Sequence, residues 1–242
     1  MIGLVVVSHS RSLARAAVAL ATELLPAQPV RVEIAAGLDD HTLGTDAVAV
    51  ADAITAADTG DGVLLLMDLG SAVLSAETAL DLLDTPHDVR LCAGPLVEGL
   101  VAALAAAGGG GDLAAVAREA ESALDAKRAQ LGAPPPPGGP AADDHAGSDT
   151  LIGRPQADAV FEVTNEHGLH ARPAAELVSA LGALDAEVLL RNATTGAGPV
   201  PGNSLTRVLT LGVLPGHRLE VAATGPEAAL AIEQVRAVTS GH

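Results

Sequence analysis

Between Gly132 and Thr150 the chain reads GAPPPPGGPAADDHAGSDT, and no continuous hydrophobic core can be threaded through that stretch. The four prolines Pro134–Pro137 cannot continue a helix, and the Gly, Ala and Asp that follow carry too little apolar surface to offset the entropy of ordering. A linker is expected over residues 132–155, stiff at first and flexible afterwards. It separates a region 1–131 from a region 156–242, each long enough for a core of its own. With one Phe and no Trp or Tyr among 242 residues, those cores must be built from Ala, Val, Leu and Ile.

The formal net charge is −17, and 18 of the 30 Asp and Glu lie before Gly132, against 7 of the 13 Lys and Arg. A polyanionic backbone would be repelled, and there are no aromatic platforms for bases, so no nucleic acid is expected as a partner. A basic protein surface suits such a face, although acidity also serves solubility. Cys92 is the only cysteine, which excludes a disulfide framework and a Cys-based metal site. It lies in the apolar run Val89–Cys92, where a small buried residue is expected. The start, MIGLVVVSHS, has neither the basic leader nor the cleavage site of a signal peptide. No apolar run reaches the ~20 residues of a membrane-spanning helix. A cytoplasmic protein is expected.

The first region alternates short apolar runs with helical patterns. Strands are expected at Ile2–Val7, Val30–Ala35, Gly62–Met67 and Val89–Ala93. Helices are expected at Arg11–Leu25, Asp46–Ala57, Leu74–Leu83, Leu96–Ala107 and Leu113–Leu131. In the first helix Leu13, Ala17, Leu20 and Leu24 recur on one face. This alternation predicts an α/β domain with a doubly wound, mostly parallel sheet, whose chemistry sits past the C-terminal strand ends. The second region has another grammar. Phe161 and Val163 alternate with Glu162 and Thr164, and Leu219, Val221 and Ala223 alternate with Arg218, Glu220 and Ala222, as in strands with one wet face. Helical patterns cover Ala171–Leu181, Leu205–Leu211 and Pro226–Val238. The order strand, helix, two strands, helix, strand, helix predicts an α+β domain with an antiparallel sheet and helices on one face.

The segment Asn165–Ala174, NEHGLHARPA, concentrates the chemistry of the second region. Gly168 permits a tight turn and Pro173 suits a helix's first turn, so His170 falls at a helix N-terminus, where N–H groups and the dipole favour an anion. Arg172 offers a fork of donors to a phosphate. A neutral imidazole is a competent nucleophile near pH 7, although a His in this place can also simply cap its helix. The string GLHARPA resembles the active-site signature of HPr, the histidine phosphocarrier of the bacterial phosphotransferase system. The resemblance runs from about Ala157 to His242 and includes NSLTRVLTLGV. It implies that His170 is phosphorylated, with Arg172 as its electrostatic partner and the N–H of Ala171 among the phosphate contacts. His167 departs from the small polar residue usual before the Gly. Ser204 matches the family's regulatory serine, a possible modification site, but Ser is also a common N-cap.

In the first region His9 follows the first strand in VVVSHSRS, the switch position of a doubly wound sheet. Ser8 suggests a hydrolase partner, but successive strand residues point to opposite faces, which makes a poor dyad. Asp68, after GVLLLM, reaches the same sheet edge and can fix the imidazole tautomer, leaving the other nitrogen as nucleophile. Alone it is equally a helix cap. Gly70 and Ser71 open a helix whose N–H groups can hold phosphate, and Ser10 starts another. The strings VVSHSRSLA, IAAGLDD, GTDAVAVADAI, MDLGSAVLSAETALDLL and VRLCAGPLVEG resemble enzyme IIA of the mannose class, most closely the phosphotransfer subunits of dihydroxyacetone kinase, the DhaM family.

That resemblance makes His9 a second phosphorylated residue. It implies a relay in which phosphoenolpyruvate-charged enzyme I phosphorylates His170, His170 passes the group to His9, and His9 delivers it to ADP in a DhaL subunit acting with DhaK. Enzyme I is expected as a separate protein, since no enzyme I-like segment follows the HPr-like region. Dimerisation through the first domain is also implied. Two alternatives remain open: a sugar-transport component serving a IIB protein, and a regulatory module whose phosphorylation state is read by another protein. No cofactor and no metal are expected. Lys127 is the only lysine and Gly108–Gly111 is not a P-loop, and Asp39, Asp40 and His41 make a weak ligand set, with His41 instead able to line the rim of the His9 site. His87, His145, His217 and His242 read as exposed loop or terminal residues.

Overall fold

The computed structural model describes residues 1–26, 28–132, 156–166 and 168–240. The linker expectation and the departure at His167 therefore lie outside the described residues, as do His145 and His242. The chain divides into two compact units, Met1–Leu124 and Asp125–His242.

In the first unit, β1 (Gly3–Ser8), β2 (Val32–Ala36), β3 (Val63–Met67) and β4 (Val89–Cys92) form a parallel sheet in the order β2-β1-β3-β4. Helices α1 (Arg11–Leu24), α2 (Ala47–Ala57), α3 (Gly70–Asp81), α4 (Leu96–Gly108) and α5 (Leu113–Glu121) connect and follow the strands. Val5, Val7, Val63 and Leu65 pack with Val50, Ile54, Ala72 and Ala76 of α2 and α3 on one face. Helices α1 and α4 pack together away from the α2–α3 pair, so the sheet is wound on both sides.

Small side chains let these layers approach closely. A Cβ on Gly3 would lie 2.2 Å from the Ala57 carbonyl oxygen, so β1 and the end of α2 meet backbone to backbone. Alanine also corrects the expectation for α1. Its buried stripe is Ala14, Ala17 and Ala21, while Leu13 and Leu20 are exposed. Three further boundaries shift: β2 begins at Val32, α3 begins at Gly70, and the segment after Leu113 breaks into α5 and the separate α6 (Asp125–Gln130).

The second unit contains α6, then β5 (Ala157–Glu162), α7 (Ala171–Gly182), β6 (Glu187–Asn192), β7 (Val200–Pro201), α8 (Leu205–Thr210), β8 (Arg218–Thr224) and α9 (Ala228–Ser240). Its antiparallel sheet has the order β5-β8-β6-β7. Leu219, Val221 and Ala223 are buried and alternate with more exposed neighbours, which is the expected one-sided strand. Helix α9 packs on β5 and β8 and α7 packs on α9, with Leu177, Leu181, Ala231 and Val235 buried.

Candidate functional site

The β1–β3 register pairs Val7 with Met67, so Ser8 and Asp68 emerge side by side where the strand order reverses. Asp68 collects four donors there. Its Oδ1 accepts from the His9 ring at Nδ1 (2.9 Å) and from the Leu69 N–H (2.7 Å). Its Oδ2 accepts from the His9 N–H (2.8 Å) and the Ser8 hydroxyl (2.8 Å). Burial by itself would push this carboxyl up. The bonds from His9, Ser8 and Leu69 outweigh it and hold Asp68 below the usual carboxylate range. Asp68 is thus an ionised acceptor, so Nδ1 of His9 carries a proton, and in the neutral ring Nε2 is the nitrogen with the lone pair.

Nε2 of His9 lies 2.7 Å from the Ser71 hydroxyl, which can donate to it in the neutral ring. Gly70 and Ser71 are the first residues of α3, whose N-cap Leu69 supplies no capping side chain. Asp68 therefore orients the imidazole and is not the cap of α3. Ser10 caps α1, accepting from the Leu13 N–H at 3.2 Å. The site sets an imidazole nitrogen beside two helix N-termini, a setting that favours an anion.

The poor dyad geometry of Ser8 and His9 is explained by where the serine points. Ser8 is fully buried, gives its hydroxyl to Asp68 and accepts from the Ser10 N–H at 3.1 Å. Its part in holding Asp68 was missed by the sequence reading, although a hydroxyl closing an otherwise apolar strand was a visible signal. Arg11 was missed as well. Its Nε donates to the Ala36 carbonyl (2.8 Å) and its guanidinium to Asp40 (3.0 Å), which pins the end of β2. The loop after β2 is tied to the site by Gly37 N–H to the Ser8 carbonyl and Gly44 N–H to the His9 carbonyl. His41 lies in that loop, exposed. The Asp39 carboxylate accepts the N–H groups of His41 and Thr42 at 2.7 Å. Among the described residues no cluster of three or more His, Cys, Asp or Glu is placed to hold a metal ion.

In the second unit His170 takes the N-cap position of α7 with extended backbone (φ −86°, ψ −172°), and its side chain makes no capping bond. His170 and Arg172 are exposed, and Ala171 is the first residue of α7. Gly168 is required by contact as well as by conformation. Its φ is +72°, and a Cβ would lie 2.2 Å from the Val213 carbonyl oxygen, which accepts from the Leu169 N–H at 3.0 Å. Ser204 is buried and caps α8, accepting from the Arg207 N–H at 3.3 Å.

Two histidines expected to be exposed are not. His87 is half-buried; its Nδ1 lies 2.6 Å from Asp58 and its Nε2 3.1 Å from the Thr85 hydroxyl. The His87 ring holds the Asp58 carboxyl below the usual range, helped by the Gly60 N–H. This repeats the wiring of His9, Asp68 and Ser71 at the opposite edge of the sheet. His217 is half-buried and bonded to Asn192. Spacing alone could not find either partner, because each comes from a distant loop or strand.

Residues 3–117 match the family model of the PTS system fructose IIA component, and residues 158–240 match that of the PTS HPr component phosphorylation site. The chain thus joins two kinds of phosphotransferase-system domain. It is 42% identical over 239 residues to the phosphoryl donor subunit DhaM of the PEP-dependent dihydroxyacetone kinase of Pantoea ananatis, covering 96% of this chain and 48% of the relative. For the Escherichia coli subunit of the same name the figures are 42% over 234 residues, 94% and 48%. The Listeria innocua phosphoryl donor subunit DhaM of PEP-dependent dihydroxyacetone kinase 2 is 38% identical over 101 residues, covering 41% of this chain and 80% of that protein. The chain belongs to the DhaM family. It spans about half the length of the first of these relatives. Among the described residues no helix is long and apolar enough to cross a membrane.

Proposed function

We propose that this chain is a phosphohistidine carrier of a phosphoenolpyruvate–glycerone phosphotransferase, acting in the cytoplasm. His170 takes a phosphoryl group from enzyme I and passes it to His9, which delivers it to ADP held by a DhaL subunit working with DhaK. The observation that carries this reading is the His9 ring itself, with Nδ1 bound to an ionised Asp68 and Nε2 directed at Ser71 on the first turn of α3. In the transfer, Nε2 forms a bond to phosphorus as the bond from phosphorus to the His170 nitrogen breaks. The departing nitrogen keeps the electron pair and Asp68 stabilises the positive charge left on the His9 ring. The N–H groups of Gly70 and Ser71, with Ser10, are suited to the phosphoryl oxygens at His9, and Ala171 with Arg172 to those at His170. Positioning and charge stabilisation suffice for such chemistry.

The segment 132–155 would let the HPr-like domain, 156–242, serve enzyme I and the domain 1–131 in turn, at an effective concentration of about mM. The first domain pairs in a homodimer in this reading. Labelled phosphoenolpyruvate with enzyme I tests the relay on wild type, His170→Ala and His9→Ala. No label is expected on His170→Ala, and label confined to the second domain is expected in His9→Ala. Adding DhaK and DhaL should then discharge wild type and phosphorylate dihydroxyacetone. Label on His9 in His170→Ala, without added HPr, refutes the order, and charged protein that fails to serve the kinase subunits refutes the destination.

A further inference from the structure

We infer that Asn192 and His217 are positioning residues for His170, acting through the loop that holds both ends of the segment leading into α7. The proposal rests on the reading of His170 as a phosphoryl acceptor. Asn192 ends β6 fully buried, and all its amide bonds are made inside the fold. Its Oδ1 accepts from the backbone N–H groups of Thr194 (3.1 Å) and Thr195 (3.3 Å), and its Nδ2 donates to the Leu211 carbonyl (3.0 Å). Backbone N–H groups can only donate and a carbonyl can only accept, so the amide has one orientation. The second Nδ2 hydrogen then points at Nδ1 of His217, 3.1 Å away. The Leu214 N–H converges on the same nitrogen at 3.3 Å. With two donors aimed at it, Nδ1 of His217 carries a lone pair and the ring proton sits on Nε2.

The span closed by this nitrogen, Leu211–His217, touches the His170 segment at two places. At its start, Val163 donates its N–H to the His217 carbonyl (2.9 Å) and accepts the Gly216 N–H (2.7 Å). At its end, Leu169 donates to the Val213 carbonyl, and Gly168 packs against Val213 and Leu214. The position of the Val213 carbonyl therefore sets where the chain arrives at His170 and how α7 presents its first turn. Removing the acceptor at His217 leaves the Leu214 N–H and one Asn192 hydrogen without a partner, and the loop relaxes to find water.

The test uses the full chain. In nitrogen-15 spectra of wild type, the His217 ring should show an unprotonated Nδ1 and a protonated Nε2 at neutral pH. His217→Ala should shift the amide resonances of residues 168–172 and slow labelling of His170 by enzyme I about tenfold. His217→Asn, whose Oδ1 stands near the place of Nδ1, should restore labelling to within about twofold of wild type. A protonated Nδ1 in wild type overturns the proposal. So does His217→Ala that labels at the wild-type rate with amides 168–172 unmoved, or His217→Asn that labels no better than His217→Ala. If wild type itself is not labelled, the phosphocarrier reading fails, and the ring and amide signals decide the clamp alone.

Discussion

Replacing Asp68 by Asn keeps the size of the side chain and removes one acceptor face. Asp68 accepts two backbone N–H groups, from His9 on Oδ2 and from Leu69 on Oδ1. Neither can turn away. Whichever oxygen becomes NH₂, one of those donors is left facing another donor. The Asp68 side chain is only 10% exposed, so water offers little relief, and an orphaned buried donor costs about 1–3 kcal/mol. Losing the charge that strengthens the remaining bonds brings the expected destabilisation to about 2–4 kcal/mol. One orientation also puts the NH₂ against Nδ1 of His9, which drives the ring proton to Nε2 and removes the nucleophile. In hydrolase triads the equivalent change costs about 10⁴ in rate, and a loss of at least about 10²-fold is expected here. The assay is the rate of phosphohistidine formation at His9, read by mass spectrometry after charging with enzyme I and phosphoenolpyruvate, beside denaturant unfolding. Ser8→Ala is the control. It removes one bond to Asp68 and the acceptor of the Ser10 N–H but leaves the tautomer alone, so it should cost about 1–3 kcal/mol and little rate. Asp68→Asn that charges His9 within about threefold of wild type refutes the tautomer argument.

Three further outcomes follow from the same contacts. Asp68 and Asp58 ionise more readily folded than at their ordinary value of 3.8, so the unfolded chain binds more protons in the window just below it. Their contribution is full above about pH 4 and lost as pH falls through the folded values; urea midpoints from pH 5 to pH 2 should fall, and less steeply in Asp68→Asn. Gly168→Ala forces a Cβ onto the Val213 carbonyl at positive φ and should cost more than about 2 kcal/mol in a denaturant titration and depress labelling of His170; wild-type stability would contradict the contact. Cys92 is buried in β4, and burial pushes its thiol up against the smaller opposing effect of the Gly94 N–H. Iodoacetamide at pH 8 should therefore modify it at least about 10²-fold more slowly in the native protein than in urea.

Much of the fold was legible because its signals are local. Ile2–Val7 and Gly62–Met67 are continuous, short and largely branched apolar runs, as strands buried on both faces have. His9, Asp68 and His170 could be placed because a strand end and a helix start are themselves local features. Periodicity reports which residues are apolar and is silent on which of several apolar faces meets the neighbours, so the buried stripe of α1 is Ala14, Ala17 and Ala21 in place of Leu13 and Leu20. His87 and His217 were misread for a different reason. Asp58 is 29 residues from His87 and Asn192 is 25 from His217, so both pairs exist only once the strands are in register.

The parallel sheet carries the same wiring at its two edges, His9 with Asp68 and Ser71, and His87 with Asp58 and Thr85. A parallel arrangement gives those edges opposite polarity. At the His9 edge α1 and α3 begin, and at the His87 edge Asp58 is the C-cap of α2 and α3 has just ended at Asp81. A negative charge placed at the His87 edge would meet the carbonyl ends of α2 and α3, which disfavour it. One end of the sheet thus offers helix N-termini to its imidazole and the other offers helix C-termini. The direction in which the strands run, and not the triad drawn around each ring, gives the two imidazoles opposite surroundings.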